Sequence, residues 1–255
     1  MASDVSAVEV TVHDRVTVVT INREHKRNAI DESVTAGLDQ AFNDFEDDPE
    51  QRCAILYGGR QFFCAGADLS SGVGEPTPHG GLAGLIKRER TKPLIAAVEG
   101  FALGGGMELV LCCDLVVAST AARFGLPEVA RGLIPDFGGA FRIVRALPPN
   151  VARELLLTAT DLSAERAERL GFVNRLVEPG SVLEAALELA QRICANAPLA
   201  IRGALAVANT AITGGDETEL WKVSDDVHNG LIQTTDLVEG ITAFFERRTP
   251  RWTGQ

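Results

Sequence analysis

The sequence predicts an α/β core over residues 1–197, followed by an all-helical C-terminal region over residues 198–255. Three observations carry that reading. Short apolar runs alternate with amphipathic stretches through the first half of the chain. From Gly138 onward the pattern becomes mostly helical, with one short strand near residues 172–177. The last strand-like segment is followed only by helical periodicity, and the change falls near residues 195–200.

The elements follow in order. Val8, Val10 and Val12 alternate with polar residues, Asp14 and Arg15 turn the chain, and residues 16–21 (Val-Thr-Val-Val-Thr-Ile) form a second strand. Asp31 caps a helix whose apolar positions Val34, Leu38, Phe42 and Phe45 are spaced four, four and three. Residues 53–57 (Cys-Ala-Ile-Leu-Tyr) form a short buried strand that ends at Gly58 and Gly59. A loop through residues 61–69 follows, and the Gly- and Pro-rich stretch 70–81 reads as a second, mobile loop. Residues 82–90 read as a short helix stopped by Pro93, and residues 94–98 as a strand. Gly104, Gly105 and Gly106 open a helix to about Cys113, and residues 115–118 form another strand. Ser181 and Glu184 have capping-box spacing and open a helix that ends before Pro198. Helices near 199–213, 217–233 and 237–247 complete the chain, with apolar faces suited to docking on another subunit.

Composition narrows the class. Of 255 residues, 45% are hydrophobic and 23% charged, which excludes a disordered chain, a collagen and a disulfide miniprotein. The formal charge is −11, so a nucleic-acid backbone is repelled and any anionic ligand needs local groups to hold it. Residues 1–12 have neither the basic nor the apolar character of a targeting segment, and the longest apolar run, near 109–118, is broken by Asp114. These features predict a cytoplasmic protein that does not enter a membrane. Five cysteines without a C-x-x-C pair and four isolated histidines predict neither a disulfide framework nor a metal site.

Two glycine-rich segments and three carboxylates carry the chemistry. In Phe62-Phe-Cys-Ala-Gly-Ala-Asp-Leu69 small residues let backbone N–H groups approach a ligand. In Gly100-Phe-Ala-Leu-Gly-Gly-Gly-Met-Glu-Leu109 three glycines sit at a helix start, where N–H groups lack intrahelical partners. Two such turns facing each other would offer two donors to one oxyanion. Taken singly, each segment is equally explained by tight packing. Neither matches a dinucleotide or phosphate-loop pattern. Glu108 lies on the first turn of that helix, Glu128 in an apolar turn, and Asp136 just before another helix. A carboxylate in an apolar setting favours its protonated form and suits proton transfer. Ordinary helix-dipole pairing is the alternative for Glu108 and Asp136.

Taken together, these segments resemble the crotonase superfamily, also called the enoyl-CoA hydratase/isomerase family. The matching pieces are Asn22-Arg-Glu-His-Lys-Arg-Asn-Ala29, Phe63-Cys-Ala-Gly-Ala-Asp-Leu69, Gly104-Gly-Gly-Met-Glu108 and Phe124-Gly-Leu-Pro-Glu128. Residues 132–139 and the tail Phe244-Phe-Glu-Arg-Arg248 add to them, in family order over nearly the whole chain. The resemblance implies a crotonase-like spiral of β-β-α units and a helical C-terminal oligomerisation region that makes trimers or hexamers. It implies an acyl-CoA thioester substrate, with coenzyme A carried by the substrate and no separate cofactor. It places the oxyanion hole at the N–H groups of Ala67 and Gly105, with Gly104 and Gly106 beside them. Arg27, Ala29, Ala65, Asp68 and Leu69 fall on the CoA path, and Arg247 or Arg248 near the CoA phosphates.

By the same resemblance Glu108 and Glu128 are the two proton-transfer acids of a hydratase, which adds water syn across a trans-2-enoyl-CoA. Asp136 departs from the pattern, because hydratases commonly carry glycine there. An Asp at this place serves as the acid in family members that move double bonds, so an isomerase using Asp136 and Glu128 is the alternative. Other reactions of the family stay open, as does a non-catalytic acyl-CoA binding protein. Phe137 and Phe141 make the pocket more apolar than a short acyl chain requires.

Overall fold

The computed structural model describes residues 6–255; the first five residues of the N-terminal stretch read above lie outside it. The core is a six-stranded sheet, ordered β1 (Val8–His13), β2 (Val16–Ile21), β3 (Cys53–Tyr57), β4 (Leu94–Val98), β6 (Leu115–Ser119) and β9 (Arg175–Val177). β1 and β2 form an antiparallel hairpin in which Asp14 takes the left-handed conformation, with φ of 56°. Every other pairing in this sheet is parallel. A parallel sheet is covered on both faces, which explains why β3 and β4 are apolar at every position and buried throughout.

Two helices supply the cover. α1 (Glu32–Asp47) presents Val34, Leu38, Phe42 and Phe45 to the face carrying Val19, Ile21, Leu56 and Leu94. Its cap is the one expected, because Asp31 Oδ1 accepts from Val34 N–H at 3.0 Å. α6 (Val182–Cys194) lays Val182, Ala186 and Ala190 on the opposite face, against Val18, Ile55, Ile95 and Val117.

A second sheet, ordered β5 (Phe101–Leu103), β7 (Arg123–Gly125) and β8 (Leu162–Ser163), stands beside the first. The chain leaves the large sheet for the small one twice, from β4 to β5 and from β6 to β7, and returns each time, at β6 and at β9. After β5 it enters α2 (Gly105–Val110). This is the β-β-α spiral. α3 (Gly139–Ala146), α4 (Pro149–Thr158) and α5 (Ala164–Arg169) fill the predicted helical stretch. α7 (Pro198–Thr213), α8 (Glu217–Leu231) and α9 (Thr235–Glu246) form the C-terminal helical region. There α7 buries only Gly203 and α8 buries no residue at all. Trp221, Ile241, Phe244 and Phe245 stand exposed.

The structure departs from the sequence expectations at four places. Residues 82–90 hold only a 3₁₀ turn, Leu82–Gly84, because Ala83 and Gly84 are both left-handed. A Cβ on Gly84 would stand 2.3 Å from Thr35 O, so α1 presses this segment out of helical form. The loop at 70–81 is anchored to α1: Thr77 Oγ1 and Gly80 N–H donate to Asp39 Oδ1 at 2.8 and 2.9 Å. Ser181 makes no side-chain cap, since its ψ of 1° turns the hydroxyl away from the helix N–H groups. Val10 and Val12 are exposed, whereas Val8 on the same strand is buried where Gly37 of α1 packs on it.

Phe42 is completely buried between α1 and the sheet. Phe42→Ala is therefore expected to cost about 3–5 kcal/mol of stability, read from urea unfolding at fixed protein concentration.

Candidate active site

The site begins where two turns cross. Cys64 pairs with Ala102 in an isolated parallel bridge, with Cys64 N–H donating to Phe101 O and Leu103 N–H to Cys64 O. The next residue of the first turn, Ala65, is exposed, and Gly66 (φ 99°) then packs on the second turn. A Cβ on Gly66 would stand 2.9 Å from Leu103 O and 3.2 Å from Gly105 N. A Cβ on Gly106 would stand 2.3 Å from Cys64 O. Only glycine permits that approach.

Ala67 pairs with Ile30, through Ile30 N–H to Gly66 O and Asp68 N–H to Ile30 O, both 2.8 Å. That alternation turns the Ala67 N–H away from Ile30. Gly105 is the first residue of α2, where N–H groups have no intrahelical acceptor. Among the described residues, neither N–H has a protein partner. The cleft floor beside them is apolar: Ile30 and Phe137 lie 3.2 and 3.3 Å from a Cβ built on Gly105.

The carboxylates sit against the same turn. Glu108, on α2, is only 2% exposed, and its Oε1 accepts from Gly139 N–H at 2.8 Å. Burial pushes its pKa up to about 7; the Gly139 hydrogen bond opposes this, and the charges of Glu128 and Asp136 add to it. Glu128 lies in the 3₁₀ turn Pro127–Arg131, and its Oε1 is 3.1 Å from a Cβ built on Gly104. Its pKa is raised by burial first and by the Asp136 charge second. Its Oε2 is buried with no hydrogen-bond partner among the described residues. Asp136 stands exposed on the loop before α3, next to the buried Phe137. The three acids thus converge, with Glu108 buried, Glu128 half-buried and Asp136 at the rim. Two carboxyls poised toward neutrality beside free N–H donors are equipped to move protons while an oxyanion forms.

The CoA-path residues distribute differently. Arg27 is exposed and left-handed (φ 54°), with its carbonyl accepting from Ala65 N–H at 3.1 Å. Leu69 is 74% exposed. Asp68 turns its carboxylate inward, onto Arg23 at 2.8 Å and Ser70. Hydrogen bonds from Ser70 and Arg23 hold its pKa far below the usual carboxylate range. Ala29 places its carbonyl on the same Arg23 at 3.0 Å. Arg248 is engaged by Glu239 and Glu246, both at 2.6 Å, whereas Arg247 caps α9 in the left-handed conformation.

Sequence reasoning missed Arg23 and Asn28. Asn28 is fully buried, and its Nδ2 donates to Phe62 O and Phe63 O at 3.0 and 3.2 Å, fixing the approach to the first turn. The available signal was an Asn, a residue type that tolerates the left-handed conformation, in an otherwise charged stretch; in the structure its φ is 56°. Among the described residues no cluster of His, Cys, Asp or Glu could hold a metal ion, and no helix is long and apolar enough to cross a membrane.

Comparison with known proteins agrees with this geometry. Residues 11–255 match the enoyl-CoA hydratase/isomerase family. The chain is 39% identical to a carnitinyl-CoA dehydratase of Salmonella typhi over 247 residues, 93% of this chain and 94% of that one. It superposes on an enoyl-CoA hydratase from Mycobacterium tuberculosis with a TM-score of 0.94 and 42% identity, covering 98% and 100% of the two chains. A carnitinyl-CoA hydratase from Mycobacterium avium gives a TM-score of 0.78 at 41% identity, covering 98% and 99%.

The raised pKa of Glu108 has a consequence for stability. Its ordinary value is 4.5 and its folded value about 7. Between them the folded chain keeps a proton that the unfolded chain has released, so stability falls as pH rises through this window. Glu108→Gln removes that loss. Relative to wild type, the variant is expected to gain on the order of 2–3 kcal/mol between pH 5 and pH 8, measured by denaturant unfolding at both pH values.

Proposed function

Because this chain belongs to the enoyl-CoA hydratase/isomerase family, we propose that it hydrates a trans-2-enoyl-CoA to the 3-hydroxyacyl-CoA. The observation that carries the reading is the placing of buried Glu108 and half-buried Glu128, whose Oε2 is shut from solvent, beside the N–H groups of Ala67 and Gly105 that have no partner among the described residues. Water attacks C3 and gives its proton to one glutamate. The other glutamate, carrying a proton, delivers it to C2 on the same face. The electron pair displaced from the double bond is delocalised onto the thioester oxygen, where Ala67 and Gly105 donate to it. One such donor is typically worth about 3–4 kcal/mol of transition-state stabilisation. The N–H groups of Gly104 and Gly106 belong to the same turn and shape it.

In this reading the substrate brings coenzyme A and no resident cofactor takes part. Arg27, Ala65 and Leu69, all exposed near the first turn, line the CoA path. The core ends at residue 197, and the helices beyond it join subunits into a cytoplasmic trimer or hexamer, supported by the apolar side chains they expose. The enzyme names of the relatives count against a non-catalytic binder. One observation favours a second reading, double-bond isomerisation. Asp136 stands at the cleft rim with its charge felt by both glutamates.

The test is turnover of crotonyl-CoA, of longer and trimethylammonium-bearing 2-enoyl-CoAs, and of a 3-enoyl-CoA, in oxygen-18 water. A hydratase bleaches the conjugated thioester absorbance and incorporates the label. An isomerase generates that absorbance from the 3-enoyl-CoA without label. For the hydratase, Glu108→Gln and Glu128→Gln are each expected to lower kcat by ~10²-fold or more, and Asp136→Ala by far less. Full activity in both glutamine variants would remove the roles assigned here.

A further inference from the structure

Arg23 lies beneath the first turn and ties three segments together. Its Nη1 donates to Asp68 Oδ2 at 2.8 Å and to Ala29 O at 3.0 Å, and its Nη2 pairs with Asp31 Oδ2 at 2.9 Å. The side chains of Arg23, Asp31 and Asp68 are 13%, 17% and 8% exposed. Each carboxylate has a second duty. Asp31 Oδ1 caps α1 at Val34 N–H, and Asp68 Oδ1 accepts from the N–H and hydroxyl of Ser70 at 3.0 and 2.5 Å. Between the clamped residues runs the Ile30–Ala67 bridge, whose hydrogen bonds fix which way the Ala67 N–H points.

We propose that Arg23 and Asp68 are a positioning pair that aims the Ala67 N–H at the thioester oxygen, and that neither touches coenzyme A. The proposal rests on the oxyanion role given to Ala67 above. Gly66, which precedes Ala67, has φ of 99°, and that freedom must be removed if the donor is to be preorganised. Asp31 anchors the clamp to α1 and thereby to the main core. Asp68 holds the far side of Ala67, and Arg23 spans the gap with charge-assisted bonds in a nearly dry setting. The guanidinium commits three of its five N–H groups to two carboxylates and a carbonyl, and those two carboxylates outweigh its charge, so the cluster carries no net positive charge for a CoA phosphate. Displacing a catalytic donor by about 1 Å costs ~10²-fold in rate, so a clamp one residue away from the donor acts on kcat.

The experiment uses the full chain and the variants Asp68→Asn and Arg23→Lys. Three quantities are measured: kcat and KM on crotonyl-CoA, the Kd of free CoA by calorimetry, and the thioester carbonyl stretch of bound carbon-13 butyryl-CoA by infrared difference. Free CoA has no acyl carbonyl, and butyryl-CoA has no double bond to hydrate. Both variants are expected to lose ~10–100-fold in kcat and to show a smaller carbonyl red shift, while the Kd of free CoA stays within about twofold. Arg23→Lys keeps the charge but not the fork, and it supplies the same readouts if Asp68→Asn fails to fold. An Asp68→Asn protein that keeps the wild-type red shift and kcat overturns the proposal. So does one that keeps the shift and binds free CoA about tenfold more weakly, because Asp68 would then be a CoA contact. A wild-type protein with no red shift removes the oxyanion role itself, and the proposal with it.

Discussion

Backbone packed directly on backbone holds the centre of this molecule. Where the first turn crosses the second, Gly106 lies under Cys64 O and Gly66 lies against Leu103 O and Gly105 N, with no room for a side chain at either glycine. The bridge between Cys64 and Ala102 joins the same two segments, and β5 continues from it into the small sheet. From that crossing follow the start of α2, the position of Glu108 one turn along it, and the two N–H groups left without protein acceptors.

The same closeness sets the electrostatics. A site this tightly packed excludes water from the carboxylates it contains, so Glu108 and Glu128 rise toward neutrality by burial before any neighbouring charge acts on them. Gly139 N–H partly offsets the rise at Glu108 and fixes its direction. Glu128 keeps one oxygen unmatched and buried, a local cost that folding covers elsewhere through the two apolar layers on the large sheet. An overall charge of −11 offers no general attraction to an anionic thioester. Under the function proposed above, placed backbone donors and burial of the acyl and pantetheine parts supply what the global field does not.

Ion pairs in the chain divide by what surrounds them. The Arg23, Asp31 and Asp68 cluster is nearly dry and joins segments distant in sequence. The Arg248, Glu239 and Glu246 cluster is local and substantially more exposed. Exposed pairs of this kind add little to stability. What Arg248 gains from them is a fixed place at the end of α9.

Much was legible in the residues alone. Short apolar runs placed β2, β3 and β4, and apolar periodicity placed α1, because a face that must be buried leaves its pattern in the chain. The glycines and the two glutamates could be read as a set only through the resemblance of the segments that carry them, since each segment alone is equally explained by packing or helix-dipole pairing. Other features had no local signature. β5, β7 and β8 are three residues or fewer, too short to show a period, and exist because each finds a partner from elsewhere in the chain. Residues 82–84 hold no α-helix because α1 crowds them, and Ser181 makes no cap because its backbone, with its N–H on Glu178 O, does not take the extended cap conformation. Asp68 read as a residue facing a ligand and faces Arg23, forty-five positions earlier. Residue type and spacing thus settle which groups this protein has to work with and the class of fold that carries them. Which way each group points is settled by contacts between distant segments, since local sequence encodes preferences of the backbone while a side chain's partner is chosen by packing.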